Sequence, residues 1–242
     1  MVSGRRTLEG KVAIITGGGT GLGKAMALAL AREGASIVAA ARRVEPIEQT
    51  AREVSELGGR GLAISTDVTD SHQVNRLIER TLSEMSRIDI LINNAGIGYF
   101  GRFEDSDWNT VEKTIALNIS AFIHLTYELI PVLRKRPSAK IVNISSGIAR
   151  LPYPGLAVYG ATKGFISSFS ESLASELAGT SISVLCFHPG FTMTSFIKSG
   201  GMDLQKVPKI LLHSPEQVAT QVVWAIKKDK QWAYSDFLTR FS

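Results

Sequence analysis

The sequence predicts an α/β fold, a single-domain doubly wound parallel sheet with helices on both faces. Three observations carry that expectation. Short apolar runs alternate with longer amphipathic segments along the chain, the pattern of βα units rather than of hairpins. The runs are apolar on both faces, as strands covered from two sides must be. A glycine-rich turn, Thr16-Gly17-Gly18-Gly19-Thr20-Gly21-Leu22-Gly23, follows the first run and opens the first helix. In such a sheet, ligands are expected beyond the carboxyl ends of the strands.

Lys11 to Thr16 reads as the first buried strand, and Gly21 to Glu33 as the helix after the glycine turn. Ser36 to Ala41 is the second strand, followed by a polar helix from Glu45 to Leu57. Gly61 to Thr66 is the third. Asp70 is placed to cap a helix reaching Met85, because its carboxylate can accept from the first unpaired amides. Asp89 to Ile92 is the fourth strand, with a long helix from Asp107 to Leu133 behind it. Lys140 to Ile144 is the fifth strand and Leu156 to Leu177 the next helix; Ile182 to Phe187 is the sixth strand, and Pro215 to Lys227 a late helix. Residues 192–214 break the alternation, carrying Gly200-Gly201 with Phe196, Ile197, Met202 and Leu204. A loop of that length in a compact domain reads as a lid over a site. No repeat, low-complexity tract or linker interrupts residues 1–242, so one domain is expected.

Composition narrows the function classes. The net charge is +5, but basic residues are scattered; the one cluster, Arg134-Lys135-Arg136, falls at an expected helix end, where cations complement the dipole. A nucleic-acid partner is poorly supported. The single cysteine, Cys186, forms no internal disulfide and fits a reducing compartment. There is no eighteen-residue apolar run and no signal-peptide core, which predicts a cytoplasmic protein. Trp232 to Phe241 is aromatic-rich; it reads as a packed tail, with a peripheral membrane contact as the alternative. His72, His124 and His213 lack metal-ligand spacing, so no metal site is expected.

Tyr159 and Lys163, in Tyr-Gly-Ala-Thr-Lys, share one face of their helix. A phenol of pKa about 10 exchanges protons poorly near pH 7. A neighbouring cation favours phenolate, yet lowering the pKa to about 7 takes roughly 4 kcal/mol, more than one exposed lysine supplies. A bound cationic cofactor and a low-dielectric pocket would have to add the rest. The glycine turn offers a place for one: its glycines let backbone approach a pyrophosphate, whose charge the helix N-terminus favours. The spacing is Gly-x-x-x-Gly-x-Gly, not Gly-x-Gly-x-x-Gly.

Taken in order, the glycine turn, Asp67-Val68, Asn93-Asn94-Ala95-Gly96, Asn118, Ser146, Tyr159-x-x-x-Lys163 and Pro189-Gly190 resemble the short-chain dehydrogenase/reductase family from about residue 8 to 227. The resemblance implies a Rossmann-type fold and nicotinamide-dependent interconversion of a ketone or aldehyde with an alcohol. It makes Tyr159 the general acid in reduction and the base in oxidation. Lys163 would lower its pKa and hydrogen-bond the nicotinamide ribose. Ser146 would hold the substrate oxygen; Ser145 competes by chemistry alone, but its spacing to Tyr159 is one residue off. Asn118 would position a water connecting Lys163 to solvent. Gly17, Gly19, Thr20, Gly21, Leu22 and Gly23 would cradle the cofactor, Asp67 and Val68 its adenine, and Asn94, Ala95 and Gly96 its ribose edge. Pro189, Gly190, Thr192 and Thr194 would hold the carboxamide side of nicotinamide, while His188 reads as a packing residue.

Cofactor choice turns on the end of the second strand. NAD-preferring members place an acid there; this chain has Ala41, then Arg42 and Arg43. Nothing repels a 2′-phosphate, and a guanidinium can bind it through paired hydrogen bonds. NADP(H) is therefore preferred, with NAD(H) possible. Thr20 departs from the subgroup that also carries a base inside the glycine loop. The Val-Asp-Gly-Gly tail common in ketoacyl-carrier-protein reductases is missing after Trp232, which weakens that assignment and a standard tetramer. A homodimer through the helices beginning near Asp107 and Leu156 is expected, with a homotetramer as the alternative. Ile148, Leu151, Tyr153, Phe191, Phe196 and Met202 are the expected substrate positions, favouring an apolar carbonyl compound over a sugar. The rival readings are an NAD-linked alcohol dehydrogenase and a non-catalytic dinucleotide-binding redox sensor. The sensor would be marked by erosion of the Ser-Tyr-Lys set, and all three residues are present.

Overall fold

The computed structural model of the chain describes residues 7–194 and 212–235. Among them, seven parallel strands form one sheet in the order β3-β2-β1-β4-β5-β6-β7. The strands are β1 Val12–Thr16, β2 Ser36–Ala41, β3 Gly61–Ser65, β4 Ile90–Asn93, β5 Ala139–Ile144, β6 Ile182–His188 and β7 Trp232–Tyr234. The helices are α1 Gly21–Arg32, α2 Val44–Glu56, α3 Ser71–Met85, α4 Trp108–Ile115, α5 Phe122–Leu133, α6 Ala157–Glu176 and α7 Pro215–Lys227. The strand order reverses between β1 and β4. That switch point opens the crevice in which doubly wound sheets bind ligands.

Alternating contacts of the strands feed two cores, one on each face. Ala13, Ile15 and Ile92 pack with Met26 and Leu30 of α1 and Val222 of α7. Ile14, Leu91 and Ile141 pack with Leu77 of α3 and Leu125 and Leu129 of α5. The period-2 geometry of a strand sends successive residues to opposite faces, so both must be apolar. Buried polar groups between layers are paired. Asn93 donates to Asn143 Oδ1 (2.9 Å) and to Thr126 Oγ1 (3.0 Å), and Asn143 donates to Ser170 Oγ (2.9 Å). Asp70 caps α3 as expected, accepting from the amides of His72 and Gln73.

Three local readings change. Asp89 does not open β4; it is buried and accepts from the Val12 amide (2.9 Å) and from Arg87. Burial raises its pKa, but Arg87, that amide and Lys11 outweigh burial and hold it below the usual carboxylate range. The helix expected from Asp107 to Leu133 is interrupted by a π-helical stretch, Ala116–Ala121. The tail contributes β7, paired parallel with Cys186, Phe187 and His188 of β6. Three residues are too short for a periodic signal, so a strand could not be read there. The tail beyond Ser235 lies outside the described residues, as do Phe196, Ile197, Met202 and Leu204 of the expected lid.

One helix among the described residues, Trp108–Leu133, is long and apolar enough by length and composition to cross a membrane, and 33% of its most apolar window is buried. The run of apolar residues expected to be absent is thus approached here. Leu125, Leu129 and Leu133 are core, whereas Trp108 and Tyr127 are exposed.

Candidate active site

The glycine turn is fastened to the end of β4 by two side chains. Thr16 Oγ1 accepts the amides of Asn94 and Ala95, both at 3.0 Å, and Asn94 Nδ2 donates back to the Thr16 carbonyl at 2.9 Å. Thr16 was legible only as the start of the turn; its role as the staple needs the β1–β4 pairing. Gly17 has φ +66, and a Cβ there would lie 2.9 Å from Asn94 Nδ2; at Gly23 a Cβ would lie 2.1 Å from the Gly17 carbonyl. Both positions require glycine because backbone, turn and helix approach too closely for any side chain. Gly21 faces Thr194, whose Cγ2 would meet a Cβ at 3.2 Å. A Cβ at Gly96 would meet Asn118 Oδ1 at 3.2 Å and Lys163 Nζ at 3.7 Å. The glycines from the turn to Gly96 therefore let Asn94, Thr194, Asn118 and Lys163 close in on the backbone at this edge.

The remaining residues join through direct contacts. Lys163 Nζ lies 5.7 Å from the Tyr159 ring centre and donates to the Ile144 carbonyl at 2.8 Å. Tyr159 is half-buried and hydrogen-bonded to the Ser146 side chain. The amide of Gly147 donates to Pro189 O at 2.8 Å, which joins the Ser146 segment to the Pro189–Gly190 turn. Ile148 is half-buried and its amide donates to Ser146 Oγ at 3.4 Å. Leu151 and Tyr153 are exposed, Phe191 is half-buried, and the loop of Phe100 packs against Tyr153 with ring centres 5.9 Å apart. Phe100 carried no motif, so only the folded chain identifies it.

Asn118 sits in the π-helical stretch, a frequent mark of functional segments. Its carboxamide accepts the Ile97 amide (3.0 Å) and donates to the Ile97 carbonyl (2.9 Å) and Thr162 Oγ1 (3.1 Å). The side chain is thus engaged in holding the loop after β4. The expected water would meet a side chain that already makes three hydrogen bonds. Asp67 is likewise locally engaged, accepting from Thr69 N (3.0 Å) and Thr69 Oγ1 (2.7 Å), beside the buried Val68. Arg42 and Arg43 are exposed at the end of β2, next to the strand that carries the glycine turn, and Gly19 rests on Pro46 and Ile47 of α2. A cavity of about 520 Å³ lies at the opposite, amino end of the sheet, lined by Lys11, Asp89, Lys140 and Asp229 but by none of the expected site residues.

A match to the short chain dehydrogenase family spans residues 11–203, most of the chain. The chain belongs to that family. Its relatives include the 3-oxoacyl-(acyl-carrier-protein) reductase of Thermotoga maritima, 33% identical over 92% of both chains. Another is the glycine betaine reductase of Emericella nidulans, 33% identical over 96% of this chain; this chain spans only 19% of that protein's length. Among solved structures, the 3-ketoacyl-(acyl-carrier-protein) reductase of Brucella melitensis, complexed with NADH, superposes with a TM-score of 0.87 at 30% identity, covering 94% of this chain and 97% of that one. This short-chain dehydrogenase is accordingly an oxidoreductase of the CH–OH/C=O class that uses a nicotinamide dinucleotide.

Burial dominates the electrostatics of Tyr159 and Lys163 in the dehydrogenase. Burial pushes the phenol up to about 12, although part of its surface remains in solvent, and the hydrogen bond from Ser146 only moderates this. Burial also pushes Lys163 down to about 8, so part of its ammonium charge is lost near neutrality. Burial thus disfavours the charged form of each group, and a phenolate near pH 7 would need a further cation beside it. Ser145 and Ser146 are separated by their surroundings. Ser145 Oγ is buried against the Lys163 carbonyl (2.8 Å) and Ser167 Oγ (2.8 Å), whereas Ser146 faces Tyr159.

Proposed function

We propose that the dehydrogenase is an NADP(H)-dependent reductase of an apolar ketone or aldehyde, working with Ser146, Tyr159, Lys163 and Asn118. The observation that carries the reading is the convergence of Ser146, Tyr159 and Lys163 at one cleft edge while Ser145 is turned into the interior. A bound nicotinamide supplies the hydride in reduction. Ser146 donates a hydrogen bond to the substrate oxygen and polarises the carbonyl, and Tyr159 delivers the proton to that oxygen as charge develops on it. Lys163, with a pKa near 8, can return a proton to Tyr159, and Asn118 would position the water that links it to solvent. Oxidation runs the same transfers backwards. The glycine turn, Asp67, Val68 and Asn94 to Gly96 hold the cofactor's phosphates, adenine and ribose, and Pro189, Gly190, Thr192 and Thr194 its carboxamide side.

Arg42 supports NADP(H), because it is exposed beside the glycine turn with no acid at Ala41. The Brucella neighbour's NADH makes NAD(H) the competing choice. Exposed Leu151 and Tyr153, with Phe100 behind, favour an apolar substrate such as an acyl chain or aromatic ketone. The exposed Trp108, Ile115 and Tyr127 and the outward Phe165 of α6 support a homodimer through these helices, which would cover an apolar face that water otherwise penalises. A cytoplasmic location fits the single buried thiol, Cys186.

NADPH oxidation with a graded panel of ketones tests the reading. Turnover that rises with apolar substituents and falls at least a hundredfold in Tyr159→Phe is expected. No turnover with any ketone or alcohol, despite cofactor binding, would favour the redox sensor.

A further inference from the structure

We propose that Ser235 is a positioning residue for the Pro189–Gly190 turn and sets how tightly the nicotinamide end of the cofactor is held. This rests on the reading of that turn as the carboxamide side of the cofactor site. At the end of β6 the chain leaves the sheet through Pro189, which has no N–H, and Gly190, whose N–H has no ladder partner there. Gly190 N donates to Ser235 Oγ at 2.6 Å, and Ser235 N donates to the His188 carbonyl at 3.1 Å. Two bonds from one residue therefore bracket the point where the strand becomes the turn. Ser235 is 5% exposed, so water is poorly placed to replace its hydroxyl if it is lost.

The turn is coupled to the site on both sides. The Gly190 carbonyl accepts from Thr192 Oγ1 at 3.0 Å, and the Pro189 carbonyl accepts from Gly147, next to Ser146, at 2.8 Å. Ser235 can hold this segment because β7 is itself fixed. Trp232 and Tyr234 stack on the His188 ring at 5.0 and 4.7 Å, and Arg150 lies over Trp232 at 5.1 Å. His188 Nε2 is 3.0 Å from Ser167 Oγ, which lies 3.1 Å from the Lys163 carbonyl. The last described strand thus braces the turn from a rigid aromatic stack.

Calorimetry with NADPH and with 2′-phospho-ADP-ribose, which lacks only the nicotinamide, separates this from a general structural role. Ser235→Ala should weaken NADPH about fivefold, the loss of one hydrogen bond, and leave 2′-phospho-ADP-ribose unchanged. The KM for NADPH should rise by the same factor, and the KM for the ketone should not. Equal weakening of both ligands, or of neither, overturns the proposal. If the unmutated protein binds both ligands equally, the reading of the turn itself fails, which is a different result. Hydrogen exchange at the Gly190 amide gives a second readout without mutation: slow exchange is expected, and exchange at the rate of an open loop overturns the clamp.

Discussion

The ammonium of Lys163 lies 5.7 Å from the centre of the Tyr159 ring and spends its hydrogen bond on the Ile144 carbonyl, 2.8 Å away. The pair shares a helix face without forming an ion pair, and burial drives the two pKa values in the directions that keep both groups neutral. Burial, rather than mutual charge, therefore sets the titration of the pair.

Tyr159→Phe should leave the fold and cofactor affinity nearly intact and cut ketone reduction by about 10²–10⁴-fold, the usual contribution of general acid catalysis. Steady-state rates with NADPH and a reactive ketone decide it. Retention of most activity places the proton donor elsewhere.

Lys163 imposes a distinct pH signature on the ligand-free protein. Its folded value of about 8 lies below its ordinary value of 10.5, so between those limits the unfolded chain holds more protons. Stability contributed at this position then rises as pH climbs from 8 to 10.5, by up to about 3 kcal/mol. Tyr159, raised from 10.0 to about 12, acts oppositely and lowers stability as pH passes from 10 to 12. Denaturant titrations of the parent and Lys163→Met across pH 7–10 should show the rise in the parent alone.

The two adjacent serines should separate cleanly. Ser146→Ala should reduce turnover by about 10²-fold or more, the cost of removing a donor to a developing oxyanion, with little change in Tm. Ser145→Ala should cost about 1 kcal/mol of stability, because its hydroxyl is buried against the Lys163 carbonyl, and reduce turnover by much less. The reverse ranking would reassign the substrate donor.

Cofactor preference is expected to follow Arg42. NADPH should bind at least about tenfold more tightly than NADH, since one charge-assisted contact contributes about 1.5–3 kcal/mol. Arg42→Ala should remove that difference and leave NADH binding unchanged, as read by calorimetry. Equal affinity in the unmutated protein defeats the assignment.

Charge on the outer helices tests the dimer. Tyr127→Glu with Phe165→Glu should give a monomer by sedimentation, because a buried unpaired carboxylate costs far more than the contact it replaces. An unchanged sedimentation coefficient would point to another interface.

The sequence by itself determined the six strands β1 to β6, the helix Pro215–Lys227 and the cap at Asp70. Those signals are local: buried strands must be apolar on both faces, and a cap needs its acceptor beside the first amides. It also determined the ordered residues of the glycine turn and the Tyr159–Lys163 pair, since a tight turn and an i, i+4 helix face are short-range geometry. Only the tertiary structure decided that Thr16 staples the turn to Asn94, that the Asn118 side chain is consumed by Ile97, and that Ser145 points inward while Ser146 meets Tyr159. It alone revealed β7 and the Ser235–Gly190 bond, which joins residues 45 apart in the chain. Each depends on which strand lies beside which, and desolvation at Tyr159 and Lys163 depends on everything packed around them. Spacing along a chain carries neither.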